Sequence, residues 1–432
     1  MNNLSRRELI KQFGAAGLST GLFGASSKVW AKEAPHVVIV GGGIGGASAA
    51  KYLRIIDKNV KITLIEPNKE YIFCPGSNEI LNETVTMEEL TVNYETLKNR
   101  YAVNVITDWA DDIDYAGKKV KTRQSGAIAY DKLIVSPGPD YNCAAIEGYS
   151  KALAAGDFPH AWKAGAQTTK LFNQMKSMPQ GGTIAISSPP MPYRCPPAPY
   201  ERASFMAEWL AHHNPTAKII ILDSKDGFTF QKHYLDYWTK VRGFGTENAM
   251  IEWVPKKDGG EVKRLDTANK TLITANGDRI KADVINIIPN HTAAQFAKDT
   301  GLSQGQDWVS IDPMTYQSKV DKDVYVVGDA TESSPMVKTG YLASNHAKVV
   351  VQAIVDEFNG KAPGQPFYTN NCVALAGDDY GMTITDTFRV QNGKIVKQYG
   401  HQSTELENES LHYVRASLAK NWQRAFRRDI FA

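Results

Sequence analysis

Six short runs along the chain are almost wholly apolar: residues 36–40, 61–65, 132–135, 183–187, 218–222 and 323–327. Each ends within two residues of a glycine, a proline or an acid, so they read as buried strands. The first runs straight into Gly41-Gly42-Gly43-Ile44-Gly45-Gly46 and then into the helix-forming Ala47-Ser48-Ala49-Ala50-Lys51. Glycine there serves a tight turn at Gly41, close approach of a pyrophosphate at Gly43 and helix-on-strand packing at Gly46. The second run ends in Glu66, placed to accept from a ribose hydroxyl. Near the C-terminus, residues 409–428 predict an amphipathic helix with Leu411, Val414, Leu418, Trp422 and Phe426 on one stripe. Arg415, Lys420, Arg424, Arg427 and Arg428 supply its charge. The stripe is open to three readings: core packing, a lipid-facing surface or a protein interface.

A chain of 432 residues with 42% hydrophobic content can bury cores for two or three domains. The net charge of +3 belongs to the N-terminus, where Arg6, Arg7, Lys11 and Lys28 outweigh Glu8. Without residues 1–31 the balance is 45 basic against 45 acidic, which gives no support for nucleic-acid binding. Arg6-Arg7 with the apolar run from Phe13 to Phe23 and the small-residue site before Ala31 reads as a twin-arginine signal peptide. The expected location is the periplasm, reached after folding, where a disulfide can persist. No later run is long enough for an integral membrane span.

The distant strand ending in Gly328-Asp329, and the strand before Pro137-Gly138, resemble the flavin-contacting segments of flavoproteins with two dinucleotide-binding domains. That likeness implies FAD, with Asp329 on the ribityl chain. In reductases of this kind a second glycine loop holds NAD(P)H, but here residues 189–199 carry six prolines, which remove backbone N–H donors. The second domain therefore reads as a Rossmann scaffold without a nucleotide site. Cys195 lies in that loop, beside Arg194 and ahead of a helix expected from Ala198, a setting that predicts a depressed thiol pKa. Glu201, in the first helical turn, is a candidate proton carrier or simply a complement to the helix dipole.

The four cysteines, Cys74, Cys143, Cys195 and Cys372, form no C-x-x-C or haem-attachment motif, and the histidines show no ligand spacing, so neither metal nor haem is expected on this chain. Arg194-Cys195-Pro196-Pro197, Pro199-Tyr200-Glu201-Arg202, Tyr71-Ile72-Phe73-Cys74 with Ser77-Asn78-Glu79, Gly340-Tyr341 and Asn371-Cys372 resemble the flavoprotein subunit of flavocytochrome c sulfide dehydrogenase. The resemblance runs from about Pro35 to the C-terminus. It implies an α/β fold of the glutathione-reductase type. The FAD-binding domain would be split into residues 35–148 and 290–361, around a second Rossmann-like domain at 149–289. A small α+β interface domain would follow at 362–432.

It also implies FAD joined to Cys74 by a thioether, and a redox disulfide between Cys195 and Cys372. Sulfide would be oxidised to sulfur or polysulfide, with electrons passing to a separate c-type cytochrome subunit in a heterodimer. Tyr341 and Trp422 are candidate aromatic neighbours of the electron path. Cys143 has no counterpart in the resemblance and reads most simply as a free thiol, which leaves the disulfide assignment open. Two alternatives stay open: a sulfide:quinone oxidoreductase-like enzyme on a membrane surface, and a non-catalytic electron-relay flavoprotein.

Overall fold

The computed structural model describes residues 34–403 and 409–432. The twin-arginine segment at residues 1–31 lies outside them.

The fully apolar strands fill the centres of two parallel sheets. In the first, the order is Val324–Val326, Lys132–Val135, His36–Val40, Lys61–Ile65 and Asn104–Ile106, every pairing parallel. Val37, Val38 and Ile39 have no solvent exposure, as befits strands covered on both faces. Helices Ile44–Ile56 and Gly340–Phe358 pack on each other over this sheet. The second sheet runs Ile251–Val254, Lys218–Asp223, Thr183–Ser188 and Val284–Ile287, again all parallel. The chain crosses between the two sheets twice, through Pro139–Asn142 and Asn290–Ala293, which pair antiparallel.

The remaining segment is a three-stranded antiparallel sheet, Phe367–Gly377, Tyr380–Gln391 and Lys394–Gln402, followed by the helix Glu409–Phe431. A Cβ on Gly381 would lie 2.3 Å from the amide nitrogen of Ala416, so only glycine lets the helix cross the sheet this closely. The helix docks through its small face, Ala416 and Ala419 against Phe205 and Leu375, and through Phe426, Ile430 and Phe431 against the first domain. Leu411, Val414 and Leu418 are 44%, 48% and 54% exposed. The apolar stripe is thus divided: its first half faces outward, and only its end serves packing.

Candidate active site

Two adjoining cavities converge where the domains meet, and Cys74, Arg194 and Gly340 line both. The first is the slot along the glycine turn. Gly41, Gly43, Glu66, Gly138, Gly328 and Asp329 all line it. Gly46 lies beneath, where a Cβ would sit 1.8 Å from the Gly41 carbonyl oxygen. Beside Gly43 the nearest atom a Cβ would meet is Tyr71 Cε2 at 3.5 Å, which leaves the approach a pyrophosphate needs. Glu66 is held in place by three donors: Gly42 N at 2.7 Å to Oε2, and Asn68 N at 3.0 Å and Nδ2 at 2.7 Å to Oε1. A dinucleotide fits this cradle.

Cys74 stands at the inner end of the slot, with Tyr71 Oη 3.6 Å from its sulfur. Asp329 accepts from Arg194 Nε at 2.6 Å. That ion pair ties the cysteine loop of the second domain to the strand end of the first, and Cys195 N adds a bond to Lys338 O at 2.8 Å. Cys195 adopts φ 56°, a left-handed conformation costing a non-glycine residue roughly 1–2 kcal/mol. The Lys338 bond and that from Ala198 N to Cys195 O, 3.0 Å, hold it there.

The second cavity is lined by Cys195, Cys372, Glu201, Asn78, Tyr341 and Trp422 among others. All four cysteines are free thiols in this structure. Cys195 and Cys372 nevertheless face one space, and Cys372 Sγ donates to Asn370 Oδ1 at 3.3 Å, which in turn accepts from Thr339 Oγ1 at 2.9 Å. Cys143 is apart, buried beside Ile146 and Tyr149. Tyr341 stacks with Trp422 at 6.3 Å, and Trp422 with Phe426 at 5.3 Å.

The expectation of a depressed Cys195 thiol is overturned. Burial raises it well above the usual thiol value, and the charges of Glu201, Cys372 and Cys74 push the same way. Arg194, paired with Asp329, still pulls the thiol down, but as the smallest of these influences. Burial likewise pushes Cys372 up to about 12. Neutral thiols, or a disulfide, are the favoured states.

Glu201 is the titrating group of this cavity. Its carboxyl opens onto the cavity, so it keeps some accessible surface, but protein surrounds it. Burial raises it to about 7, against hydrogen bonds from Asn78 Nδ2 at 2.9 Å and Leu375 N at 3.0 Å that favour the anion. Asn78 is clamped in turn by Arg202, whose Nε donates to Asn78 Oδ1 at 3.1 Å. The rest of that guanidinium serves His160 O, Ala161 O and Asn286 Oδ1. The sequence assigned no role to Asn78 or Arg202. The contact of Asn78 with Glu201 spans 123 positions, a distance over which no spacing rule speaks.

The proline loop has a counterpart at the end of the next strand. Asp223 occupies the position from which a Rossmann domain reads a ribose, but it is fully buried. Its oxygens are taken by Tyr200 Oη, Trp253 Nε1 at 3.0 Å and Lys225 Nζ at 2.5 Å. Tyr200 and Phe228 stack at 3.5 Å over it.

Three family profiles match the chain. That of the sulfide dehydrogenase [flavocytochrome c] flavoprotein chain, central region, covers residues 168–289, and the flavocytochrome c sulphide dehydrogenase flavin-binding profile covers 364–431. Pyridine nucleotide-disulphide oxidoreductase covers 35–174. The sulfide dehydrogenase flavoprotein chain of Chlorobaculum thiosulfatiphilum is 54% identical over 45 residues, 10% of this chain and 94% of that sequence. The chain belongs to the flavocytochrome c sulfide dehydrogenase flavoprotein family.

A sulfide-quinone reductase of Aquifex aeolicus is 23% identical over 394 residues, 85% of this chain and 87% of the relative. The solved sulfide:quinone oxidoreductase of the same organism superposes with a TM-score of 0.70 at 20% identity, covering 92% and 93% of the two chains. A NAD-dependent persulfide reductase from A. fulgidus gives 0.61 at 15% identity, over 89% of this chain and 77% of that one. These likenesses place the fold among the two-domain flavoproteins. Membership of the family and the cradle at Gly41–Glu66 together make FAD the cofactor.

Proposed function

We propose that this flavoprotein oxidises sulfide at the Cys195 and Cys372 pair and delivers the electrons, through FAD, to a c-type cytochrome subunit. The observation that carries it is a single cavity in which both cysteines and Glu201 face one another, and which opens at Cys74 onto the flavin slot. Hydrosulfide attacks the disulfide. One new sulfur–sulfur bond forms to one cysteine, the inter-cysteine bond breaks, and the other sulfur leaves as thiolate. Because burial disfavours thiolates here, the charge must be neutralised or passed on at once. FAD, when bound, accepts the electron pair and releases it one electron at a time. Arg194 and Asp329 fix the loop against the slot, and Glu201, near 7, holds the proton released as the sulfur is oxidised. Cys74, which lines both cavities, would anchor the flavin as a thioether.

The cytochrome would dock over the exposed face of the last helix, where Leu411, Val414 and Leu418 lead toward Trp422 and Tyr341 at the cavity. The same stripe supports a second reading, quinone reduction at a lipid surface, as the Aquifex relative's name describes. Among the described residues no helix is long and apolar enough to cross a membrane. Arg6-Arg7 and the run behind them support export to the periplasm.

Stopped-flow mixing of sulfide with the FAD-loaded protein tests the core of this reading. Cys195→Ser should retain bound FAD and lose sulfide-dependent bleaching; bleaching at the wild-type rate would overturn the cysteine mechanism, and a wild type that sulfide does not bleach would favour the non-catalytic relay. Turnover with decylubiquinone against oxidised cytochrome c separates the two acceptors.

A further inference from the structure

One buried carboxylate beside the cavity has no assigned task. Glu79 is 1% exposed and lies on the short 3₁₀ helix Ser77–Asn82, which packs on the helix carrying Glu201. Its Oε1 accepts from Gln423 Nε2 at 2.7 Å, while its Oε2 is buried without a hydrogen-bond partner. An anion so placed is costly, and nothing in the packing requires an acid at this position.

The charged groups facing it come from three other elements. Glu201 lies on the cavity side, and the negative charge of Glu79 is one of the causes that raise Glu201. Lys420, on the last helix, lowers Glu79; Asp378, in the hairpin turn, raises it; burial outweighs both. Lys420 and Asp378 are themselves paired at 3.7 Å and half exposed. Asp378 also bears on Glu208, two turns along the same helix face from Glu201. Glu79 bonds the last helix at Gln423, which lines the cavity, one turn from Lys420, which pairs with Asp378 at the surface.

We infer that Glu79 is a proton-relay residue, taking the proton from Glu201 and passing it to solvent at the Asp378–Lys420 surface. The inference rests on the sulfide-oxidising reading. Hydrosulfide oxidised to the level of elemental sulfur yields one proton and two electrons. The electrons leave toward the flavin and a one-electron acceptor, and the proton stays behind at Glu201 until a second group takes it. Glu201 can hold it, and Glu79 must clear it before Glu201 can act again.

Glu79→Gln keeps the size and an acceptor for Gln423, and removes the exchangeable proton. The FAD-loaded variant is assayed for sulfide oxidation with ferricyanide, in H₂O and D₂O, from pH 5.5 to 8.5. Turnover is expected to fall at least tenfold with FAD content retained, with a larger solvent isotope effect and partial recovery on adding formate. The acidic limb set by Glu201 should also move to lower pH, since a neutral neighbour no longer raises it. Wild-type turnover and an unchanged profile would overturn the inference. So would a slowed variant with unchanged isotope effect, unmoved limb and no formate recovery, which marks a merely structural residue. Should that variant fail to fold, Asp378→Asn at the surface carries the test: the limb and isotope effect move if the relay conducts, and stay if it does not. Failure of the wild type itself to oxidise sulfide would strike the functional reading, separately from the relay.

Discussion

Glu201→Gln should make the protein less active and more stable at once. In the unfolded chain this carboxyl ionises near 4.5, and in the folded protein burial holds it to about 7. A carboxyl raised in this way adds stability below pH 4.5 that is lost as pH rises through 7, because the folded state must then bear a desolvated charge that the unfolded chain solvates freely. The displacement corresponds to about 3 kcal/mol. Glutamine has one acceptor oxygen where the carboxylate offered two, to Asn78 Nδ2 and Leu375 N, and a displaced donor returns about 1 kcal/mol of that. A net gain of about 2 kcal/mol at pH 8 remains, shrinking to nothing or reversing at pH 4.5. Urea unfolding of the FAD-loaded variant and wild type at both pH values measures it. Sulfide turnover of the variant should drop by roughly 10²–10⁴, and the wild-type rate should rise about tenfold from pH 6 to pH 8 as the base form fills. Equal destabilisation of the variant at both pH values would refute the reasoning, since the carboxyl would then carry no burial penalty.

Other substitutions probe the cradle and its supports. Gly46→Ala forces a Cβ to within 1.8 Å of the Gly41 oxygen, so purified protein should lose its flavin, read as the FAD-to-protein absorbance ratio. Arg202→Met strands the Ala161 carbonyl and the side-chain oxygens of Asn78 and Asn286, while His160 O keeps its bond from Asn286 Nδ2; urea unfolding should report a loss of roughly 3–5 kcal/mol. In Cys74→Ser, acid precipitation should leave yellow flavin in the supernatant, whereas the wild-type pellet keeps it.

What could be read from the sequence was contiguous. The strand, glycines and helix of residues 36–51 are one stretch of chain, and so is the proline loop around Cys195, so local rules apply to them. The thiol pKa was misjudged because Arg194, the neighbour visible in the sequence, is outweighed by burial and by acidic groups from other elements. Arg194 shares its charge with Asp329, 135 positions away, and burial, the largest influence, is a property of the assembled domains. Helical periodicity found the stripe from Leu411 to Phe426 but not its orientation. Docking was decided by Ala416 and Ala419, small residues that matter only because Gly381 lets the sheet come so near. Asn78, Arg202 and Glu79 act through partners on other elements, and no motif spacing encodes such meetings.

Asp223 bears on what laboratory evolution could do with this scaffold. Converting the proline loop back to glycines would restore backbone donors, but the acid that should greet a ribose would still be enclosed by Tyr200, Trp253 and Lys225. Freeing it means opening an aromatic stack as well, and each intermediate would lose packing before any nicotinamide could bind. Selection for NADH-dependent activity should therefore stall on single-step libraries, and succeed only where the loop and the stack beneath it change together.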